Sequence, residues 1–348
     1  MAADLVVVKE SPFNAEADIR RLAEEITPNA SHYVRSNFAV PALDPRHHHV
    51  AVGGAVRHPL RLGMEELRAM SMTSLVATME CAGNDRLRLA PLPSGEPWES
   101  GAVSTARWAG VPLGAVLDRA GLRPEAVEIL VIGADQGKPK DGPHTVPFAR
   151  ALPLDKARHP HTLLALEMNG EPLPAHHGAP LRLVVPAWYG MASVKWVARI
   201  EAIEEPFAGY YQTRRYIYDF ADGTPPVPVT EMRVKSLVTA PLEGATVPPG
   251  RVNIAGKAWS GAGRIVRVEL NIDGAPEWQE ARLLDAPAPY AWQSWEYEWD
   301  AAEPGRHVIR ARATDSRGQR QPDVAPWNTY GYGNNAIRPV VINVRRAP

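Results

Sequence analysis

ATMECAGNDR, residues 77–86, holds the only cysteine of a 348-residue chain. A single cysteine excludes an intrachain disulfide, C-x-x-C zinc sites, four-cysteine iron–sulfur clusters and C-x-x-C-H haem attachment. Two readings of Cys81 remain. It is a small buried hydrophobe, the commonest fate of a free thiol, or it carries chemistry alone. Gly83 and Asn84 suit a sharp backbone turn just after it. Arg86 and Arg88 follow, with Asp85 as a partial counterweight, and cations favour the thiolate. A thiolate is a nucleophile or a soft metal ligand.

A nucleophile needs a base, and the chain has 11 histidines. They fall in HHH (47–49), HTVP (144–147), HPH (159–161) and HH (176–177), among other places. None stands at a spacing from Cys81 that marks a cysteine hydrolase. The run His47–His49 makes a poor metal cage, because neighbours on a strand face opposite sides.

The length favours two domains. A composition 45% hydrophobic and 22% charged is globular. The formal net charge of -1 gives no reason to expect a nucleic-acid or membrane partner. No apolar run approaches the roughly 20 residues of a membrane span. The first residues lack the long apolar region of a secretory signal, so the chain as given reads as cytoplasmic, or periplasmic if a leader was removed.

The first 225 or so residues read as mixed α and β. ADIRRLAEEI (17–26) places Ile19, Leu22 and Ile26 at helical spacing. PLGAVLDRAG (112–121) is a helix with Pro112 at N1 and Gly121 as its stop. VEILVIGAD (127–135), LRLVVP (181–186) and VKWVARIEAI (194–203) are strands. DGTPPVPVTEM (222–232) reads as a linker. Beyond it, VNIAGKAW (252–259), IVRVELNIDG (265–274), WEYEWD (295–300), HVIRARATD (307–315) and PVVINV (339–344) are short strands separated by turns. Their spacing predicts an immunoglobulin-like β-sandwich. The expected organisation is an α+β domain over 1–228 and a sandwich over 229–348.

Cations also recur in Gly- or Pro-rich settings: Arg35 in HYVRSN, Arg182 in HHGAPLRLVVP, Lys195 in ASVKW, and Arg214 and Arg215 in QTRRY. Several such residues near strand ends suggest an anion site, because the guanidinium fork suits a phosphate or an oxyanion.

ECAGNDR resembles the Cys-Ala-Gly-Asn-Arg-Arg motif of the sulfite oxidase family. PWESGAVSTARWAGVPL (97–113), HHGAPLRLVVPAWYGMASVKWVARI (176–200) and APWNTYGYGNN (325–335) are similar to further segments of that family, in the same order. The resemblance implies a sulfite-oxidase-type molybdopterin-binding domain followed by an immunoglobulin-like dimerisation domain. It implies oxidation of sulfite to sulfate by oxo transfer at a molybdenum–molybdopterin cofactor, with no haem or iron–sulfur cluster in this compact two-domain form of bacterial or plant type. Electrons would pass to an external acceptor, a cytochrome or oxygen, and the protein would be a homodimer.

Residue by residue, the resemblance makes Cys81 the metal ligand. His177, Arg182 and Lys195 would hold the pterin phosphate, and Asp135 and His144 would line the pterin. Arg35 and Arg86 would bind substrate, Trp98 would bound the pocket, and Tyr216 would bond the reactive oxygen, with Tyr218 as second choice. Asn37 stands where the family has a cofactor-contacting histidine. Asp85 replaces the first arginine of the family's pair. Thr329 and Tyr330 follow Trp327-Asn328, where animal members carry a third substrate arginine. These departures keep a second reading open: the same fold and metal acting on another small oxyanion or sulfoxide, as in a nitrate or sulfoxide reductase. A third is a non-catalytic relative kept as a binding module.

Overall fold

The computed structural model describes residues 4–142, 144–220, 222–284 and 286–346. Two five-stranded sheets build the N-terminal domain. One runs in the order Leu60–Gly63, His49–Gly54, Val197–Ile203, Glu128–Gly137, Val146–Pro153. Its central strand, Val197–Ile203, is parallel to His49–Gly54 and antiparallel to Glu128–Gly137. The other runs Glu171–Pro172, Leu163–Met168, Val103–Pro112, Thr73–Glu80, with Arg182–Val184 also paired to Leu163–Met168. Strand Thr73–Glu80 delivers the chain directly to Cys81.

The expected strands at 127–135, 181–186 and 194–203 are present as Glu128–Gly137, Arg182–Val184 and Val197–Ile203. Helix Leu113–Ala120 buries Leu113, Val116, Leu117 and Ala120, the one-face spacing of an amphipathic helix. Pro112 is its N-cap and not its N1 residue, and Gly121 closes it in the left-handed region at φ 68°. Leu117 packs in one core with Val52, Ile129, Ile200 and Leu164, drawn from both sheets. Cutting such a leucine to alanine costs about 2–5 kcal/mol.

The segment 17–26 departs from the expected helix. It is strand Asn14–Ala17 followed by a single 3-10 turn, Ile19–Ala23. Asp18 accepts from the Arg20 amide at 2.9 Å, and the Glu24 amide closes an i→i+3 bond to Arg21. Only Leu22 of the three apolar residues is fully buried, so no continuous face holds a longer helix.

The C-terminal domain is a two-sheet sandwich. One sheet orders Lys235–Ala240, Gly250–Trp259, Gln293–Ala301, Arg282–Leu283, and the other Thr246–Val247, Val340–Val344, Gly305–Asp315, Ile265–Ile272, Gln279–Glu280. Ile254, Val268, Leu270, Trp295, Ile309 and Ile342 fill the space between them. The segment expected as a linker is exposed over its first residues but does not hang free. Val227–Pro228 pairs with Ile217–Tyr218, and Val229 and Met232 are buried. Apolar anchors inside a Pro-rich stretch turn a spacer into a packed connection. The main core continues across it, taking in Leu237, Trp259, Trp292 and Tyr332 of the sandwich domain.

Candidate functional site

The turn after Thr73–Glu80 is fixed at every residue. The Cys81 amide donates to Ala102 O at 2.8 Å, the Asn84 amide to Cys81 O at 2.9 Å, and the Asp85 amide to Glu99 O at 2.7 Å. Asn84 binds Glu80 Oε1 through Nδ2 and the Ala102 amide through Oδ1. Asp85 adopts φ 61°, a conformation that asparagine and aspartate tolerate best among residues with a side chain. A Cβ on Gly83 would lie 2.2 Å from Arg86 Nη2, and one on Gly95 would lie 2.8 Å from Arg86 Cζ. The guanidinium of Arg86 therefore lies where two glycines leave room for it. It is bonded to Tyr330 O at 2.9 Å and Glu96 O at 2.6 Å, and lies 5.5 Å from the Tyr332 ring centroid.

Cys81 is buried and faces two cavities that share Arg35, Asn37 and Tyr216. Arg35 donates to Asn37 Oδ1 at 2.7 Å, and Asn37 Nδ2 donates to the Tyr216 hydroxyl at 3.3 Å. Asn37 thus orients a cation and a phenol beside the thiol. Tyr216 is buried at φ 55° and stacked on Tyr332 at 5.3 Å. Burial pushes the Cys81 thiol up, and Arg35 and Arg86 pull against it.

The deeper cavity is lined by Asp135, His177, Arg182 and Lys195. Asp135 sits within the register shift between Ile132 and Gln136 of its strand, Glu128–Gly137. Arg182 is buried, bonded to His177 O at 3.0 Å and placed 4.7 Å from the Trp108 ring centroid. Lys195 Nζ donates to Ser36 Oγ and His176 O, both at 2.8 Å. Burial pushes Asp135 up to about 7, takes His32 down to about 3, and lowers Lys195 well below the usual lysine range.

Among the described residues, three buried polar atoms of side chains lining this cavity have no hydrogen-bond partner: Asp135 Oδ1, Arg182 Nε and His32 Nε2. A buried polar group left unpaired is costly, and a polar ligand is one way to satisfy it. Among the described residues, no group of three or more His, Cys, Asp or Glu is disposed to hold a metal ion. A metal at Cys81 therefore has to bring ligands of its own, as a dithiolene-bearing pterin does. The donor set fits that group: one soft thiolate, and buried donors for a pterin and its phosphate.

The outer cavity, about 570 Å³, is lined by Arg86, Trp98, Arg215 and Tyr332 among others. Two sequence expectations fall elsewhere. His144 is exposed and lines neither cavity, although Lys138, Lys140 and Asp141 of the same connection between Glu128–Gly137 and Val146–Pro153 line the outer one. Tyr218 is buried against Arg233, and only Tyr216 of the two tyrosines lines the cavities. His32 and Tyr332 lie outside the residues that the sequence marks. His32 stands three residues before Arg35, which was a usable signal; Tyr332 enters from the other domain, and no local pattern marks it.

Two family descriptions match the chain: an oxidoreductase molybdopterin binding domain over residues 37–211, and a Mo-co oxidoreductase dimerisation domain over 227–345. Sulfite oxidase of Gallus gallus is 38% identical over 94% of this chain, which spans 75% of that protein. Sulfite oxidase of Arabidopsis thaliana is 30% identical over 98% of this chain and 94% of its own. The crystal structure of the sulfane dehydrogenase SoxCD from Paracoccus pantotrophus superposes with a TM-score of 0.85 at 28% identity, covering 97% of this chain and 88% of that one. The chain with the lone, buried Cys81 belongs to the sulfite oxidase family of molybdopterin-binding oxidoreductases.

Proposed function

We propose that the protein oxidises sulfite to sulfate at a molybdenum–molybdopterin group held at Cys81. When bound, that group supplies the two-electron oxidation and the oxygen-atom transfer. The chain supplies binding, charge and order. The Cys81 thiolate is the protein's metal ligand, and His177, Arg182, Lys195 and Asp135 hold the pterin and its phosphate. Arg35 and Arg86 take the sulfite oxygens. Their described hydrogen bonds all go to neutral carbonyl and amide oxygens, so neither positive charge is spent on an internal carboxylate. Tyr216, held through its hydroxyl by Asn37, is placed to hold a proton at its Oη. Trp98 and Tyr332 exclude water.

The observation that carries this reading is the meeting of both cavities at Cys81, Arg35, Asn37 and Tyr216. One cavity has unpaired polar atoms for a cofactor, and the other has cations for a small anion. Sulfite and water give sulfate, two protons and two electrons. The electrons pass to an external acceptor, a cytochrome or oxygen. The C-terminal sandwich is the immunoglobulin-like surface through which two copies pair.

The test is a paired one on a single sample: molybdenum per chain, and sulfite-dependent reduction of an artificial acceptor. About one molybdenum per chain with sulfite turnover supports the whole reading. Full molybdenum with no sulfite turnover, but turnover of another sulfur or nitrogen oxyanion, moves the substrate and keeps the site.

A further inference from the structure

Arg215 is the third arginine of the outer cavity, and it is bonded differently from the other two. Its Nη2 lies 2.9 Å from Asp141 Oδ2, and its Nε donates to the Tyr210 hydroxyl at 3.2 Å. Tyr210 in turn donates to Asp141 Oδ1. The guanidinium lies 4.5 Å from the centroid of Tyr330, the residue whose carbonyl holds Arg86. No described bond uses Arg215 Nη1. Six basic side chains and two acids line this cavity. One acid, Glu96, is taken by Lys9 at 3.2 Å. Asp141 is the other, and it sits at the mouth with half its side chain exposed. Tyr210 and Arg215 hold its carboxyl below the usual range.

Resting on the sulfite reading above, we propose that Arg215 is a specificity-determining cation for doubly charged oxyanions and that Asp141 is its built-in competitor. A half-exposed ion pair is weakly held. An incoming oxyanion can displace the carboxylate only by offering more charge and more acceptor oxygens to the fork. With Asp141 in place, Arg35, Arg86 and Arg215 still carry more positive charge than the carboxylate offsets, and Lys138 and Lys140 add to it, so the lining favours sulfite in its doubly charged form or sulfate. A singly charged ion such as nitrate gains less from the same groups and faces the same carboxylate. The pocket thus selects by charge as well as by size, using a carboxylate as the repulsive element.

The experiment compares Arg215→Gln, Arg215→Lys and Asp141→Asn in the metal-loaded protein. It reads the KM for sulfite, and independently the affinity for sulfate by calorimetry. Arg215→Gln should raise the KM and weaken sulfate about 10-fold or more, with a smaller effect on kcat, and Arg215→Lys should recover part of the loss. Asp141→Asn keeps the acceptor for Arg215 and removes the charge. It should move both quantities the opposite way and make nitrate a better competitor of sulfate. A structural role alone would weaken anion binding in both variants. Equal losses in both, an unchanged sulfate affinity in Arg215→Gln, or no sulfate binding by the parent protein would each overturn the proposal. Sulfate binding that follows the predicted signs, without sulfite turnover, would instead overturn the substrate assignment and leave Arg215 in place.

Discussion

Lys235, on the first strand of the sandwich domain, places its ammonium 2.7 Å from the Asp85 carboxylate in the other domain. The same nitrogen lies 3.1 Å from Glu80 Oε1, so one buried cation bridges the two acids that bracket Cys81. Trp259 Nε1 donates to the second oxygen of Glu80 at 2.9 Å, and the Gly333 amide to Ala82 O at 2.7 Å. Burial opposes the charge on Lys235, yet Asp85 and Glu80 outweigh it and raise its pKa. The sandwich is therefore part of the frame that holds the thiol.

Lys235→Met should strip that frame of its buried cation, leaving Glu80 with neutral donors only and Asp85 with the longer, part-exposed pair to Arg88 at 3.4 Å. Breaking a buried pair from one side costs about 3–5 kcal/mol, read as a lower thermal midpoint. Adding Glu80→Gln and Asp85→Asn removes the stranded charges and should return part of the loss. A triple variant no more stable than Lys235→Met would show that the ion network is not what the single change disturbs.

Cys81→Ala should separate metal binding from folding. The backbone around Cys81 is held by Ala102 and Asn84, not by the thiol. Its unfolding midpoint in the metal-free state should shift little, while molybdenum per chain falls to a small fraction and turnover with it. An alanine variant with full molybdenum and normal turnover would remove Cys81 from the site.

The two halves of the site differ in how far the sequence reveals them. Cys81, Arg86, Arg182 and Lys195 are legible because each sits in a local run whose glycines and prolines have a structural reason, as Gly83 does beside Arg86. Arg215 was visible as a cation, but only the fold separates it from Arg214, which lines neither cavity. Lys235 and Tyr332 were not legible, since each reaches the site across a separation of well over 100 residues. The failed helix at 17–26 has the opposite cause. Its periodicity was real, but the tertiary structure buries only Leu22 fully, and local bonds from Asp18 and Glu24 close a shorter turn.

Glu16 gives a pH dependence separate from the metal. Its carboxyl is buried and accepts from the Gly101 amide at 3.1 Å, and burial pushes its pKa from 4.5 up to about 7. Between those values the folded chain keeps a proton that the unfolded chain releases. This contribution is complete below pH 4.5 and is lost as pH rises through 7, about 3 kcal/mol at most. Glu16→Gln keeps the acceptor and cannot ionise. The parent should lose stability relative to this variant between pH 5 and 8. Parallel stability curves across that interval would rule out a buried, proton-retaining Glu16.

Arg86 offers the sharpest test of the anion pocket, because it can be perturbed without being replaced. Arg86→Gln removes a buried charge whose described bonds all go to carbonyls. Losing a charged hydrogen bond to the substrate costs about 1.5–3 kcal/mol, a rise of roughly 10- to 100-fold in the KM for sulfite. Gly83→Ala leaves the charge in place, but its Cβ would sit 2.2 Å from Nη2 and force the guanidinium aside. If Arg86 acts by position, Gly83→Ala should raise the KM in the same direction while metal content stays near that of the parent. If Arg86→Gln raises the KM and Gly83→Ala does not, the charge matters at longer range and the placement of the fork does not. An unchanged KM in both would mean that sulfite binds elsewhere in the cavity, on Arg35 and Arg215.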